Sequence, residues 1–514
     1  MREKSAARMS NPESSSNPEI RMAEHVLRRV PVSVFGLASA FGFRLSALSL
    51  LAAVVLLLNG CAVGPNYKRP PTPAPATFAN ADGVASTNAQ FRTDWWRTFN
   101  DPLLERFIAQ ASTNNYDLRR AQARLLEARA LWTEARFDFA PTVRGTAGYE
   151  KSQLSRDAAG TRARRSELYR AGFDATWELD IWGNVRRNVE AARATVESVE
   201  ATRDDVLVTI QAEVAANYID VRGTQSQLEV ATRNATNQAQ TLELAVTLLN
   251  GGQGTQLDVA RARSLLNETL ASIPRLEASL HSAMYRIAVL CGLQPTALAS
   301  DLLATRTFPK ISTELALSSP TELLRNRPDV RAAERSLAAA TARIGIDTAD
   351  LFPRVTFNGS VALEASSFGE LTSPGAEAYN FGPHISWAAF DLGRVRQRIK
   401  AADARAQQAL VTYEQTALLA LEETENALVA LSRERQRFAY LTEAERSAAE
   451  AAQLARQRYL DGIADYLSVL DAERTLLELQ DELVIAQTLT VTRLIAVYKA
   501  LGSGVPAQSQ SSIQ

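Results

Sequence analysis

Few side chains in this 514-residue sequence are of the types that support catalysis or metal binding. The chain contains three His and two Cys, and they show neither the spacing of a metal site nor a Ser/His/Asp set. It also has no glycine-rich phosphate loop. Cys291 precedes Gly292 among apolar residues at a predicted helix end, which is typical of a buried structural thiol. We therefore expect no enzyme, no bound metal and no catalytic residues.

The charge balance excludes a further class of function. Lys and Arg number 56 and Asp and Glu 57, so the formal net charge is −1. A chain that binds nucleic acid usually carries a clear basic excess, so we expect no nucleic-acid partner. The hydrophobic content of 46% suits a folded protein.

Cys61 stands where a covalent modification is expected. It follows a basic region and the apolar run 45–58, which is shorter than the about 20 residues needed to span a membrane as a helix. That order is typical of a secretory signal. The sequence Leu58-Asn59-Gly60-Cys61 resembles the cleavage box of bacterial lipoproteins. The resemblance implies a signal peptide at 1–60 and a covalent lipid on Cys61, and Ala62 at the next position favours the outer membrane. The alternative is an uncleaved signal anchor with Cys61 unmodified.

One long segment organises the rest of the chain. Residues 184–250 contain no Pro and a single Gly, Gly223, and their apolar residues recur at spacings of three, four and seven. This period predicts a continuous helix with one buried stripe, about 100 Å long at 1.5 Å per residue. A compact domain of ordinary size needs no such rod, so we expect an elongated molecule.

The rod occurs twice, because the chain is duplicated with a shift of about 210 residues. Tyr169, Trp177 and Gly183 fall on Tyr379, Trp387 and Gly393 at that shift. Upstream the shift is 212, so we expect an exposed loop between Val143 and Tyr169, where an insertion is tolerated. A period this long indicates a duplicated half-protein, which a solenoid of short repeats would not show.

In each half, the sequence also predicts a pair of β-strands before the rod. The first pair lies within 141–181 and the second within 353–391, and each strand has about ten residues, enough to cross a bilayer when tilted. Aromatic residues fall near the strand ends, as in an interfacial belt. They are Tyr149, Tyr169, Trp177, Trp182, Tyr379, Trp387 and Phe390. A small soluble sheet with ordinary core aromatics is the alternative.

The open edges of the sheet and the apolar stripes of the rods both require neighbouring chains. Four strands leave open edges, which lipid does not tolerate, and the smallest membrane barrels have about eight strands. The apolar stripe of each rod must also be buried on a neighbour. Both requirements predict a cyclic homo-oligomer.

The remaining segments divide the chain as follows. We expect a Pro-rich tether at 61–93, a first repeat at 94–293 with a helical hairpin at 184–291, and a linker at 294–320. A second repeat at 321–502 begins with a helix at 328–350 and ends with a helical hairpin at 394–501. A disordered tail follows at 503–514. Thr255 and Asp465 are expected to cap the returning helices after Gly-rich turns.

These features together resemble the TolC-like outer-membrane efflux proteins, in particular their NodT-like lipoprotein branch. The resemblance covers about 61–502 and rests on five segments in a fixed order. They are 61–70 (CAVGPNYKRP), 95–101 (WWRTFND), 177–183 (WELDIWG), 327–330 (RPDV) and 387–393 (WAAFDLG).

The resemblance implies a mainly α fold with membrane β. Three copies would form a 12-stranded β-barrel with four strands from each chain, continued by a long periplasmic α-helical barrel. It implies an outer-membrane location, and a periplasmic adaptor protein and an inner-membrane RND-type pump as partners. The implied function is the outer-membrane duct of a tripartite efflux pump that exports small molecules such as drugs. The alternatives are a lipidated periplasmic coiled-coil adaptor, or the same duct serving metal-ion efflux or type I protein secretion.

The resemblance also implies a gate at the periplasmic end of the tube. Asp258 and Asp471 keep the acidic residues expected after the two turns, and Tyr459 keeps a tyrosine before the second turn. Ser468 stands where many relatives have a further gate Asp, and Ala464 where some have an Arg. The alternative role of Asp258 and Asp471 is charge compensation at a helix N-terminus. The arginines of the first loop, Arg156, Arg162, Arg164 and Arg165, with Arg170 just beyond it, are expected on the outer surface.

Overall fold

The computed structural model describes residues 62–71, 74–81, 86–87, 93–159, 164–304, 308–309, 315–317 and 319–505. The expected signal peptide at 1–60, its modified Cys61, Arg162 and residues 506–514 of the expected tail lie outside this range.

The first half contains two short helices, a strand pair and a long helical hairpin. In chain order its elements are β1 (Ser86–Thr87), a 3-10 turn (Trp95–Phe99), α1 (Pro102–Asn114), α2 (Tyr116–Phe137), β2 (Thr142–Gln153), α3 (Arg156–Ala159), β3 (Arg165–Leu179), α4 (Asn184–Asn250) and α5 (Gln256–Leu290). Asp101 caps α1 by accepting from Leu103 N at 2.9 Å, and Pro102 occupies the first helical position.

The second half repeats this order after a short connection. Its elements are α6 (Ala299–Leu303), β4 (Leu315–Ala316), α7 (Pro320–Asn326), α8 (Pro328–Ala349), β5 (Arg354–Ala365), a 3-10 turn (Phe368–Glu370), β6 (Glu377–Ser386), α9 (Leu392–Leu460) and α10 (Tyr466–Ala500). The expected internal duplication is therefore present in the fold.

Each rod is lined by two shorter helices placed end to end. The 67-residue α4 packs along the 35-residue α5 and the 22-residue α2, and the 69-residue α9 packs along α10 and α8. The shorter helices together approach the length of the rod. The apolar stripe of the rod is thereby covered within the chain along most of its length.

The two end-to-end junctions are built alike. The Asn115 side chain accepts from Asp117 N and donates to Leu290 O at 2.9 Å, so it caps α2 and binds the last carbonyls of α5. At the equivalent place in the second half, Arg327 donates to Ala500 O at 2.8 Å. Gly292 and Gly502 follow these two helices with positive φ of 74° and 67°, the left-handed conformation that a helix end favours in glycine.

A single large core surrounds the junctions. It joins the 3-10 turn and α1 to the middle of α4, the ends of α5 and α10, and the middle of α9. Trp95 is 1% exposed and its ring stacks on Tyr498 with 5.0 Å between centroids. A smaller apolar cluster closes the far end of the hairpins around Val259, Tyr466 and Val469. The rods are therefore clamped at the middle and at the turns.

One helix crossing is close enough to require glycine. A Cβ on Gly223 in α4 would lie 2.2 Å from Oγ1 and 2.6 Å from Cγ2 of Thr488 in α10. The single glycine in the 67-residue rod therefore allows α4 and α10 to approach at the edge of the central core.

The strands form one antiparallel sheet in the order β2-β3-β5-β6. Thr142 pairs with Thr176, Tyr169 with Ala365, and Arg354 with Ser386. A separate two-residue parallel ladder joins β1 to β4. In the four-stranded sheet β2 and β6 are the edges.

Several expected boundaries differ from the structure. The last strand ends at Ser386, because the chain turns towards α9 there and Asp391 N bonds to Ala388 O at 2.8 Å. The expected linker at 294–320 is not featureless, since it contains α6 and β4 and buries Leu302 and Leu315 in the core. Nor does the expected tail start at 503, because Ser503 is only 2% exposed and its N–H bonds to Tyr498 O.

The segment at 62–81 is also bound rather than free. The guanidinium of Arg187 is buried and bonds to Val63 O and to Asn66 Oδ1 at 3.1 and 2.7 Å. Tyr67 donates to Glu334 Oε1 at 2.5 Å, and Ala79 N donates to Glu425 Oε1 at 2.8 Å. The described part of the tether therefore runs across α4, α8 and α9 in an extended form.

A half-buried carboxylate beside the second junction makes stability depend on pH. Burial, with the nearby carboxylate of Asp329, raises the pKa of Asp205 to about 6. Glu423 acts in the same direction, and Arg327 and Lys499 act against it. Because the folded pKa lies above the ordinary value of 3.8, the folded state binds the proton more tightly than the unfolded state. Stability should therefore be higher at pH 5 than at pH 7.5 and fall as the pH rises through 6.

We expect Asp205→Asn to stabilise the protein at pH 7.5 by about 1–3 kcal/mol and to flatten this pH dependence. Thermal unfolding of the purified protein at pH 5 and 7.5 measures both effects. Asp117→Asn, at an exposed carboxylate paired with Arg120, is the matched control. An unchanged pH dependence in Asp205→Asn would show that another group titrates.

Candidate functional site

The four strands separate their side chains by residue number. In all three ladders even-numbered residues pair with even-numbered ones and odd-numbered with odd-numbered ones. Because side chains alternate along a strand, every odd residue of the sheet lies on one face and every even residue on the other.

The odd face is apolar and exposed. Phe173 is 66% exposed, Val361 55% and Tyr379 79%. The other large apolar residues exposed on this face are Val143, Tyr149, Phe357, Phe381 and Ile385. A soluble protein rarely exposes so continuous an apolar surface. The soluble-sheet alternative, which would bury these aromatics in a core, is therefore wrong.

The even face is polar and carries paired charges. Arg170 bonds to Asp174 at 3.0 Å and lies 3.5 Å from Glu364, and Thr146 donates to Asp174 Oδ2 at 2.8 Å. Towards the helices, Arg354 lies 3.5 Å from Glu178. The sheet thus has one face suited to lipid and one suited to water.

The helical end of the sheet is tied down twice in the same way. The indole N–H of Trp177 donates to Phe139 O, and that of Trp387 donates to Leu351 O, each at 3.0 Å. At the start of α4, Asp180 accepts from Val185 N and Arg186 N at 3.0 Å. These contacts fix the rods against the base of the sheet.

At the opposite end of the rods, the first turn places Asp258 in a helix cap. The Thr255 hydroxyl accepts from Asp258 N, and Asp258 Oδ2 accepts from Thr255 N at 3.0 Å and from Thr255 Oγ1 at 2.6 Å. This is a capping box, a reciprocal arrangement that satisfies backbone and side-chain groups at the start of α5. Within one chain Asp258 therefore takes part in the N-terminal cap of α5.

The second turn is built differently. Asp465 caps α10, accepting from Ser468 N at 3.0 Å and from Ser468 Oγ at 2.7 Å. These bonds hold the pKa of Asp465 below its usual range. Ser468, at the expected gate position, is thus bound to the cap of its own helix. Asp471 is exposed, and among the contacts of the described residues its carboxylate bonds only to Arg474, at 3.1 Å.

The structure brings two of the expected gate residues together. The rings of Tyr459 and Tyr466 are in tilted contact, with 5.3 Å between their centroids, and burial together with the charge of Asp258 raises the pKa of Tyr459. Tyr459 also packs against the apolar cluster that contains Val259, the residue after Asp258. Asp471 and Ser468 are on α10 and are not part of this cluster.

The turns also expose apolar residues that the sequence reasoning did not single out. Leu257 is 56% exposed, Leu460 57%, Ile463 66% and Leu467 48%. Their exposure could have been predicted from the sequence, because these apolar residues adjoin the glycine turns at Gly252 and Gly462. A residue at a helix end has few neighbours within its own chain. A single chain leaves them uncovered.

Other expected positions are accounted for by local contacts. Cys291 is buried with its Sγ 3.6 Å from Phe107 O, and burial raises the pKa of its thiol to about 11. It is a structural thiol. Arg156, Arg164 and Arg165 are exposed at the end of the sheet away from the rods. Among the described residues, no group of three or more His, Cys, Asp or Glu could hold a metal ion.

Comparison with known proteins places most of the chain in one family. The model of the family described as "Outer membrane efflux protein" matches residues 107–293 and 319–503. The chain is 32% identical to Nodulation protein T of Rhizobium leguminosarum bv. trifolii, over 87% of this chain and 96% of that protein. It is 30% identical to the toluene efflux pump outer membrane protein TtgI of Pseudomonas putida, over 89% and 98%.

Solved structures give the same result. The outer-membrane channel OprN superposes with a TM-score of 0.83 at 40% identity, covering 86% of this chain and 99% of that one. CusC superposes with a TM-score of 0.75 at 26% identity, covering 86% and 100%.

The two acidic residues at the turns should differ in their effect on local stability. Asp258→Ala removes a reciprocal cap and should cost about 0.5–2 kcal/mol, whereas Asp471→Ala removes an exposed ion pair worth less than about 1 kcal/mol. Hydrogen exchange of the amides at 255–259 and 466–475 measures this. We expect clearly faster exchange at the first turn in Asp258→Ala. Equal, small effects in the two variants would contradict the capping role.

Proposed function

The chain belongs to the outer membrane efflux protein family, and we propose that it is the trimeric outer-membrane duct of a tripartite pump exporting small organic molecules. The expected resemblance to TolC-like efflux proteins is confirmed. The adaptor alternative is wrong, because the matched family consists of outer-membrane channels.

The observation that carries this function is the division of the sheet into two faces. A membrane barrel needs an apolar outer face and a polar lumen, alternating along every strand. The exposed odd face supplies the first and the charged even face the second. The open edges of β2 and β6 must then pair with other copies, since lipid cannot satisfy their backbone groups.

The rods continue this barrel into the periplasm. At 1.5 Å per residue, α4 and α9 are about 100 Å long, which suits a duct that reaches towards the inner membrane. Its partners are a periplasmic adaptor and an inner-membrane RND-type pump. The exposed leucines and isoleucine at the turns supply an apolar surface on which the adaptor can dock.

The cargo is proposed to be small organic molecules selected by the pump. The relative TtgI is named for toluene efflux, OpmQ for pyoverdine export and CusC for cation efflux. Relatives of similar identity thus differ in cargo, which favours a duct that selects little. The paired charges on the lumen face agree with this, because each Arg there is offset by a neighbouring carboxylate in the pairs described above.

We also propose that Cys61 carries a lipid. Ala62, the first described residue, packs against Gly183, between β3 and α4: a Cβ on Gly183 would lie 2.6 Å from Ala62 Cα. Val63 N donates to Trp182 O at 3.0 Å. The described chain therefore begins at the base of the barrel, at the level of the inner leaflet, where a lipid on Cys61 would insert.

For the gate we propose that Asp471, more than Asp258, acts between subunits. The Asp258 carboxylate is occupied by its own cap, whereas Asp471 is exposed on α10. Three copies of Asp471 at a constriction would attract cations and be linked by polar bonds to neighbouring hairpins. Ser468, bound to Asp465, adds no charge to such a ring.

The membrane face can be tested with adjacent residues. Val361→Arg puts a charge on the odd face of β5 and should cost about 2–4 kcal/mol near the bilayer midplane. Ser360→Arg puts the same charge on the even face and should leave assembly nearly intact. Heat-resistant trimer recovered from outer membranes is the readout. Equal losses in both variants would argue against the assignment of the faces.

The gate can be tested by single-channel recording in planar bilayers. Asp471→Asn should raise the conductance of the closed channel and lower its preference for cations, because a ring of three carboxylates is neutralised. Asp258→Asn is the matched control and should change conductance less. The proposal fails if Asp258→Asn opens the channel and Asp471→Asn does not.

Native mass spectrometry of the protein extracted from outer membranes tests the assembly and its anchor together. We expect a trimer of chains that begin at an acylated Cys61. In Cys61→Ser the lipid mass should be absent. A monomer would contradict the duct, and a trimer of chains that retain residues before Cys61 would contradict only the anchor.

A further inference from the structure

The two hairpins of the sheet carry opposite charge at the end away from the rods, called here the outer end. The described residues 151–159 and 164–167, which border the connection between β2 and β3, contain four basic and two acidic residues. Residues 364–377, which do the same for β5 and β6, contain three acidic residues and no basic one. The duplicated halves have therefore diverged to opposite signs at the same place.

Within one chain these two outer ends already meet. Arg170 on β3 lies 3.5 Å from Glu364 on β5, and the rings of Tyr169 and Phe368 approach to 6.0 Å between centroids. The contact joins the basic hairpin to the acidic hairpin across the central β3–β5 ladder.

The two free edges of the sheet also carry opposite charges at their outer ends. The basic hairpin ends in the free edge β2, and the acidic hairpin ends in the free edge β6. Glu377, the first residue of β6, is exposed, and no bond or ion pair of its side chain is found among the described residues. Lys151 on β2 is exposed and pairs with Glu167, and Arg156 beyond it is also exposed.

We propose that β6 of one copy pairs with β2 of the next, with Glu377 beside Lys151 and Gln153 at the outer end of that seam. The occupant of each free edge is thus a second copy of this chain, and the outer rim becomes a ring of alternating acidic and basic hairpins. This inference rests on the trimeric barrel of the proposed function, and it adds the register and the charge pairing that close the barrel.

The register follows from the faces. A closed barrel must continue its apolar face across the seam, so odd residues of β6 can pair only with odd residues of β2. Glu377 opens β6 at the outer end, and the odd residues at the outer end of β2 are Lys151 and Gln153. Ser152 lies on the other face, where its Oγ is 2.7 Å from Ser166 Oγ.

Charge contributes more to the choice of which two edges pair than to the stability of the paired edges. Exposed ion pairs contribute little, typically about 0.2–1 kcal/mol, so the backbone ladder supplies most of the seam's stability. Two β2 edges would oppose like charges, as would two β6 edges, and both pairings are therefore disfavoured. Only β6 against β2 is complementary, and its repetition in one direction produces a closed ring.

Cysteine cross-linking tests the seam. Glu377→Cys combined with Lys151→Cys, or with Gln153→Cys, should give a covalent trimer on a non-reducing gel after mild oxidation. A link within one chain is excluded, because β2 and β6 lie on opposite edges of its sheet. Glu377→Cys combined with Ser152→Cys is the matched control, and its cysteines should remain on opposite faces and unlinked.

The outcomes separate this inference from the proposed function. A native trimer in which neither odd pair cross-links, or in which the Ser152→Cys pair links equally well, overturns the seam and leaves the duct in place. Absence of any trimer in the unmodified protein overturns both. Cross-linking of an odd pair alone supports both.

The charge pairing has its own readout. Glu377→Lys should lower the fraction of trimer that survives heating in detergent by more than Glu377→Gln does, because it adds repulsion instead of only removing attraction. The difference should vanish near 1 M salt, where the screening length is about 3 Å. Equal losses in the two variants, or a difference that salt leaves unchanged, would contradict the role of charge.

Discussion

The unpaired backbone of the two sheet edges is the constraint on which this structure depends. A strand edge in lipid leaves N–H and C=O groups without water, at a cost of several kcal/mol for each group. A four-stranded sheet cannot curl up to satisfy its own edges, so other copies must do so. The apolar odd face requires lipid, the edges require neighbours, and together they lead to a barrel that one chain cannot form alone.

Because the chain is duplicated, the two halves use the same contacts to join their helices and to hold their strands. The same helix junction is made by Asn115 in the first half and by Arg327 in the second, each donating to the carbonyl of the last helical residue of the hairpin that follows in its own half. Trp177 and Trp387 tie the strands to the helices in the same way. The halves differ at the outer end of the sheet and at the turns, the two places where we propose that subunits or partners meet. At the outer end the hairpins have opposite charge, and at the turns Asp258 closes a reciprocal cap while Ser468 only supports Asp465.

The packing between the hairpins changes along the rods. They are clamped by the large core in the middle and by the smaller cluster near the turns. Between these clusters the hairpins meet through polar contacts, such as Gln227 with Asp481 and Asn234 with Gln480, beside a cavity of about 240 Å³. Polar, less densely packed contacts cost less to rearrange than an apolar core. The stretch of the hairpins between the two apolar clusters is therefore the part best suited to move.

Much of this could be predicted from the sequence because it depends on local periodicity. The rod at 184–250, the duplication and the turns at Gly252 and Gly462 follow from spacing and from residues with special backbone preferences. Strand ends were less certain, since weak alternation carries no stop signal, and β6 ends before Trp387 because the chain turns there towards α9.

Only the tertiary structure decided the register that sorts odd from even residues, the fixed path of 62–81 across the rods, and the local contacts of Asp258 and Ser468. These features join residues far apart in the chain or choose among several possible hydrogen-bond partners, and neither choice is encoded in spacing along the sequence.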